Sequence, residues 1–290
     1  MTPNNSTVRN FVSKAAQKLL GRQFVARLGI RLRLLAAAFS SDLSLAGGDM
    51  ATKARRAKIT NALFQAHDGS VVSGPFAGMK LLPEASHGDG VLSAKLLGCY
   101  EAELHPSIAK AVFRNPEVVV NIGCAEGYYA VGIARVLPQA RVFGFDVDSK
   151  GRDICNRTAA ANDVADRLVV AGKCEIELLR ALTENTRLSL LFVDCEGDEV
   201  ALLDQVHLPS LLNCDMIIEC HDFLNPQTTK ILKQRFSGSH DIEDVFEGSR
   251  DPNQFVSLRD LDSFDRWLAI SERRPMTMNW LVCWARSAIP

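Results

Sequence analysis

The chain has 290 residues, 47% of them hydrophobic, and a formal net charge of −1. That apolar fraction supplies a full core and excludes global disorder, while the length admits one large or two small domains. The charge is uneven: residues 1–60 carry eleven Lys/Arg against two acids, so +9, and the remainder carries −10, which predicts a basic arm that meets an anionic surface or its own body.

Residues 8–39 predict a helix in which Arg27, Arg31 and Arg33 interrupt a dense apolar run. It reads either as a basic amphipathic helix on a membrane surface, through residues 1–40, or as a helix covering the body with its arginines snorkelling. A linker follows at 40–49, broken at Gly47-Gly48. Residues 71–82 alternate around Gly74-Pro75 and predict a small hairpin. A single helical stretch is expected around Leu96, Leu97, Tyr100, Leu104 and Ile108, and Glu101, Glu103 and His105 read either as a lid over the site or as a solvated helix face. We divide the chain into 1–60, 61–115 and 116–290.

From Val118 apolar runs alternate with helical patterns. Strands are predicted at 117–121, 141–146, 167–171, 188–193 and 215–218, with helices at about 127–137, 151–162 and 198–206. Near-continuous apolar strands separated by helices indicate a parallel sheet covered on both faces. After residue 240 the pattern changes. Ile242–Phe246 and Asn279–Trp284 read as two closing strands, and 237–253, with His240 and Arg250, as a variable substrate loop.

Eight cysteines are scattered singly, without zinc spacing, several inside apolar runs. They read as small hydrophobes in a reducing, cytoplasmic setting. No stretch of about eighteen apolar residues predicts a membrane span. The acidic body argues against a nucleic-acid substrate.

The most informative run is Val118-Val119-Val120-Asn121-Ile122-Gly123-Cys124-Ala125-Glu126-Gly127. A strand enters a glycine turn, and a second strand ends at Asp146. This describes a nucleotide-like ligand at the carboxyl edge of a parallel sheet, with the acid placed for two ribose hydroxyls. A dinucleotide fingerprint needs G-x-G-x-x-G; here Gly123 is followed by Ala125 and Tyr128, so only its first position is met. A nicotinamide-dependent oxidoreductase is therefore disfavoured.

The spacing G-x-x-x-G instead resembles the first motif of class I S-adenosylmethionine-dependent methyltransferases. Asp194-Cys195-Glu196-Gly197-Asp198-Glu199 resembles the D-x-E-G-x-E segment of the FkbM type, and Met216–His221 and Trp280–Trp284 are similar to that family's fifth strand and closing antiparallel strand. The resemblance covers about 95–285. It implies a Rossmann-like α/β fold with a seven-stranded, mostly parallel sheet and an antiparallel final strand, here with a helical N-terminal extension. It implies S-adenosylmethionine as cofactor and a small molecule or glycan as methyl acceptor. Asn121, Gly123, Cys124, Ala125 and Gly127 would line the methionine end. Asp146 would hold the ribose, Val147, Lys173 and Cys174 the adenine, and Asp194 would stand nearest the methyl. Asn121 occupies a place where many relatives have an acid.

Asp194, Glu196 and His221 are the catalytic candidates, with His221 the base by type and Asp222 its orienter. Glu196 and Glu199 read equally as residues favouring a helix start, His221 as a structural hydrogen bonder, and Tyr128 and Tyr129 as ligand contacts or packing. Asp194, Glu196, Glu219, His221 and Asp222 could also gather a Mg²⁺-type ion, but no metal is assigned. A non-catalytic ligand-binding or scaffold protein on the same fold is the alternative that Asn121 keeps open.

Overall fold

The structure is a computed structural model that describes residues 50–85, 91–204 and 209–287. The predicted helix at 8–39 and the linker at 40–49 lie outside the described residues. The chain divides into two units, Met1–Ala57 and Lys58–Pro290. Of the first, residues 50–57 are described and are helical.

The second unit holds a sheet of seven strands: β1 (Val118–Ile122), β2 (Arg141–Phe145), β3 (Leu168–Ala171), β4 (Ser189–Val193), β5 (Cys214–Cys220), β6 (His240–Phe246) and β7 (Asn279–Ala285), in the order β3-β2-β1-β4-β5-β7-β6. Five strands run parallel, and β7 inserts antiparallel between β5 and β6. This is the mostly parallel, seven-stranded arrangement with an antiparallel final strand that the resemblance implies. The apolar runs are continuous because the central strands are covered on both sides: every residue of β1, β4 and β5 is buried. Val119, Leu190, Ile217 and Trp280 belong to one core, and Val118, Val120, Leu191 and Met216 to the other. The edge strand β6 is half open instead.

The helices of this unit include α1 (Leu92–Leu97), α2 (His105–Arg114), α3 (Tyr128–Val136), α4 (Ser149–Ala161), α5 (Ile176–Thr183), α6 (Glu199–Leu202), α7 (Thr228–Phe236) and α8 (Ser263–Ile270). The helices after β1 and β2 form where the periodicity places them. Asp148 caps α4 by accepting from Lys150 N and Gly151 N. The helices α5, α7 and α8 go beyond the sequence expectation. The segment forming α7, Thr-Thr-Lys-Ile-Leu-Lys-Gln-Arg-Phe, buries only Thr228, Leu232 and Phe236, too sparse a stripe to read. No described helix is long and apolar enough to cross a membrane.

Several expectations are corrected. The hairpin at 71–82 does not form: the segment holds one isolated bridge, Ser70–Lys80, and otherwise packs irregularly with Phe76 and Met79 fully buried. The single helix around Leu96–Ile108 is three pieces. α1 stops at Gly98, whose φ of +74 places it in the left-handed region and whose added Cβ would lie 1.9 Å from Ser73 O. A 3-10 turn, Ala102–Leu104, then leads into α2. The stretch 237–253 is no open loop, because its residues 240–246 form β6, His240 is buried against Cys214 O, and Arg250 is held in ion pairs. Of the helix predicted at 198–206, only Glu199–Leu202 is an α-helix among the described residues.

The strand order reverses between β1 and β4. In open parallel sheets the crevice at such a reversal, outside the carboxyl ends of the strands, is where ligands bind. Here Ile122 pairs with Val193, so the crevice opens between Gly123 and Asp194.

Candidate active site

The glycine turn is built from backbone that side chains resist. Gly123 has a φ of +80, and an added Cβ would lie 1.7 Å from Asp194 O. Only glycine lets the two strand ends approach this closely. Ala125 also has a positive φ. Its N–H donates to Asp146 Oδ2 at 2.8 Å, while Asp148 N–H donates to Asp146 Oδ1 at 2.7 Å. Asp146 therefore ties the end of β2 to the turn after β1. A carboxylate accepts about four hydrogen bonds, which leaves each oxygen able to accept again.

Two cavities flank the turn. The smaller, about 350 Å³, is lined by Gly123, Asp146, Val147, Lys173, Cys174, Asp194 and Glu196, among others. The larger, about 560 Å³, is lined by Asn121, Gly123, Cys124, Ala125, Asp194, Glu196 and His221, with Tyr100, Glu101, Glu219, Arg274 and Trp280. Both fall in the size range of small-molecule sites. Gly123, Asp194 and Glu196 border both. The structure thus brings together all the predicted site residues except Gly127, which lines neither cavity. Gly127 instead caps α3 at a φ of +93 and is packed by Cys155. Cys124 is buried, and its neighbour Cys155 together with that burial pushes its thiol up.

At the shared wall, His221 Nδ1 is 2.7 Å from Glu199 Oε1. Its Nε2 faces Asp194 Oδ1 and Glu196 Oε2, each at 3.5 Å. Glu199 is fully buried and also accepts from Gly197 N–H at 2.9 Å. The orienting partner of His221 is therefore Glu199. Asp222, expected in that role, is turned to Thr229, whose N–H and hydroxyl it accepts. Burial would lower the His221 pKa, but the Glu199 hydrogen bond and the surrounding carboxylates hold it above the usual value. Glu199 is held low in turn: burial alone would raise it, and the His221 and backbone hydrogen bonds outweigh that.

Asp194 is pushed up to about 8, first by desolvation and then by Glu101 and Glu196. Its side chain is still 43% exposed because it lines both cavities, so it is a carboxyl deep in a crevice rather than one sealed in the core. Ligand atoms of Asp194, Glu219 and His221 lie within 4.8 Å of one another, close enough to share a metal ion.

The far wall is a buried ionic cluster that sequence reading missed. Arg274 meets Glu219 at 2.6 Å, Glu272 at 3.2 Å, and Glu101; Arg250 meets Glu272 at 2.8 Å, and Glu103. Tyr129 donates its hydroxyl to Glu101 and stacks on Phe192 with ring centroids 4.9 Å apart. Tyr128 packs edge-on to Phe76 and Tyr100, and its buried hydroxyl has no hydrogen-bond partner among the described residues. Glu101 is thus a wall residue and Glu103 a clamp on Arg250 and Gly248 N–H, not parts of a lid. Burial, then the Asp194 and Glu101 charges, push Glu219 up to about 9; burial and Glu101 push Glu272 to about 7. Lys95 and Glu126, both buried, pair beside the glycine turn. A lysine inside Leu-Ser-Ala-Lys-Leu-Leu is the one sequence signal of such a buried partner.

No family model and no curated protein sequence matches this chain. Solved structures do resemble it in part. One is the O-methyltransferase TomG from Streptomyces achromogenes, involved in tomaymycin synthesis and in complex with SAM, at 11% identity, 62% of this chain, 81% of that one and a TM-score of 0.42. Another is the cofactor-bound Rv0187 from MTB, at 13% identity, 69% and 93% coverage and a TM-score of 0.45. A third is a precorrin-6y C5,15-methyltransferase from Geobacter metallireducens GS-15, at 10% identity, 62% and 88% coverage and a TM-score of 0.43. At these values the placement of the site rests on the strand order and the residues themselves.

Proposed function

We propose that this chain is an S-adenosylmethionine-dependent methyltransferase of FkbM type, acting on an oxygen of a small molecule or glycan. The observation that carries the reading is the pair of cavities meeting at Asp194 and Gly123, at the reversal of strand order. The smaller cavity offers a half-buried carboxylate, Asp146, with acceptor capacity for two vicinal hydroxyls, beside the apolar and cationic groups Val147, Ile176 and Lys173. The larger begins at the glycine turn, where Asn121 is buried with its Oδ1 unpartnered, an acceptor suited to a polar ligand tail. The residues present therefore fit a nucleoside joined to an amino-acid chain.

When bound, the cofactor supplies an electrophilic methyl group on a sulfonium. The chain's own residues do the rest. Asp146 and the glycine turn fix the nucleoside and tail, and Asp194 and Gly123 set the point where the two cavities join. Trp280, Phe192 and Tyr129 give the larger cavity an apolar side against which an acceptor can be oriented. The acceptor's proton leaves to the group made by Asp194, Glu196 and His221. Glu199 holds that imidazole with Nε2 facing the cavity, and such a positioned group contributes about 10²–10⁴-fold.

Isothermal titration with S-adenosylmethionine tests the proposal. One site per chain with micromolar affinity is expected. An absence of heat at high micromolar cofactor would defeat it, and tight binding without transfer to any hydroxyl acceptor would favour the non-catalytic alternative.

A further inference from the structure

The shared wall carries the makings of a second ligand site. We propose that Asp194, Glu219 and His221 form a site for one divalent transition-metal ion of the Mn²⁺ class. The inference stands without the cofactor, because ion binding is read on the protein alone; with the ion held by Asp194, Glu219 and His221, Glu196 is the member of the proton-accepting group left uncoordinated.

Four observations support it. First, one ligand atom from each of the three residues lies within 4.8 Å of the others. Second, His221 Nε2 stands 3.5 Å from both Asp194 Oδ1 and Glu196 Oε2. That is long for a hydrogen bond to an imidazole, which favours about 2.7–3.2 Å. The Asp194 distance suits two donors of one ion, since ligands about 2.1 Å from a metal and set at about 90–115° lie roughly 3.0–3.5 Å apart. Third, His221 Nδ1 is committed to buried Glu199 at 2.7 Å. A ligating histidine almost always donates its other nitrogen in this way, which fixes the ring and the tautomer. Fourth, two acceptor atoms are unsatisfied at the cavity. Asp194 Oδ1 has no hydrogen bond, and Asn121 Oδ1, which lines the same cavity and is assigned above to the cofactor tail, is the second, so Asp194 Oδ1 is the one left for an ion.

Charge agrees. Asp194, Glu196, Glu199 and Glu219 gather around one imidazole and one guanidinium. Arg274 occupies Glu219 Oε1 at 2.6 Å, which leaves the other oxygen and turns that carboxylate into a one-point ligand. One nitrogen with carboxylate oxygens suits Mn²⁺, Fe²⁺ or Zn²⁺ better than Ca²⁺, which takes oxygen ligands.

The test is Mn²⁺ titration of the full chain, read by the electron paramagnetic resonance of free Mn²⁺, with pulsed detection of nitrogen coupled to the bound ion. One Mn²⁺ per chain is expected, with a single histidine nitrogen coupling. Asp194→Asn should raise Kd at least tenfold, His221→Ala should abolish the nitrogen coupling, and Glu199→Gln should weaken binding about 10–100-fold. Glu84→Gln, at the surface, should change nothing. If His221→Ala does not fold, the nitrogen coupling in the unaltered protein and the near-isosteric Asp194→Asn decide the matter. The proposal is overturned by the absence of saturable binding, by a bound ion without nitrogen coupling, or by binding that survives Asp194→Asn.

Discussion

Replacing Asp146 by Ala removes the carboxylate that ties β2 to the glycine turn. In the free protein it accepts two backbone N–H groups, Ala125 at 2.8 Å and Asp148 at 2.7 Å. With nucleoside bound, it would accept from two ribose hydroxyls as well. A hydrogen bond to a charged group contributes about 1.5–3 kcal/mol, so two amount to roughly 3–6 kcal/mol, or about 10²–10⁴ in Kd. Asp146 is only half-buried, and solvent competition favours the lower part of that range, about 10²–10³-fold. Asp146→Asn keeps one carbonyl oxygen and should lose less. Calorimetric titration with S-adenosylhomocysteine gives Kd, and circular dichroism establishes that each variant is folded. A folded Asp146→Ala protein binding within about threefold of the unaltered chain would refute the assignment of Asp146 to the ribose.

Other perturbations have equally definite outcomes. Gly123→Ala places a methyl group against the Asp194 carbonyl at a positive φ; the left-handed conformation alone costs about 1–2 kcal/mol, and with the clash a loss above about 3 kcal/mol should appear in urea unfolding. Arg274→Met leaves Glu101, Glu219 and Glu272 with a lost counter-charge, and breaking a buried pair costs about 3–5 kcal/mol; a variant as stable as the parent at pH 8 would contradict the cluster's role. Glu272 is displaced upward, from 4.5 to about 7, so the folded state binds its proton more tightly. Its contribution is full below about pH 4.5 and is lost as pH rises through 7, a change on the order of 3 kcal/mol. Stability should therefore be lower at pH 8 than at pH 5, and Glu272→Gln should flatten that slope; an unchanged slope would rule Glu272 out as its source.

Much of this was legible because chain order and space coincide at a parallel sheet's edge. Gly123, Asp146, Asp194 and His221 each follow the last residues of a strand, and buried strands announce themselves as apolar runs. The far wall was not legible. Glu101 and Arg274 are 173 residues apart, in irregular segments with no period to follow, and only tertiary structure joins them. Glu199 reads as a residue favouring a helix start, whereas its partner His221 is 22 residues away. The failed hairpin at 71–82 shows the converse: its apolar residues, Phe76 and Met79 among them, are buried in the core rather than paired with each other across a turn.

The insertion of β7 between β5 and β6 orders events during synthesis. Residues 279–285 pair on both sides at once, with Met216–Cys220 and with His240–Phe246. Until they leave the ribosome, β5 presents an unpaired edge of the kind that recruits other chains, and β6 has no strand to join. Arg274 emerges just before them, so a nascent chain paused earlier also carries Glu101 and Glu219 without their main cation. A chain truncated near residue 270 would therefore lack both β7 and Arg274 and should aggregate rather than persist as a weakly active protein.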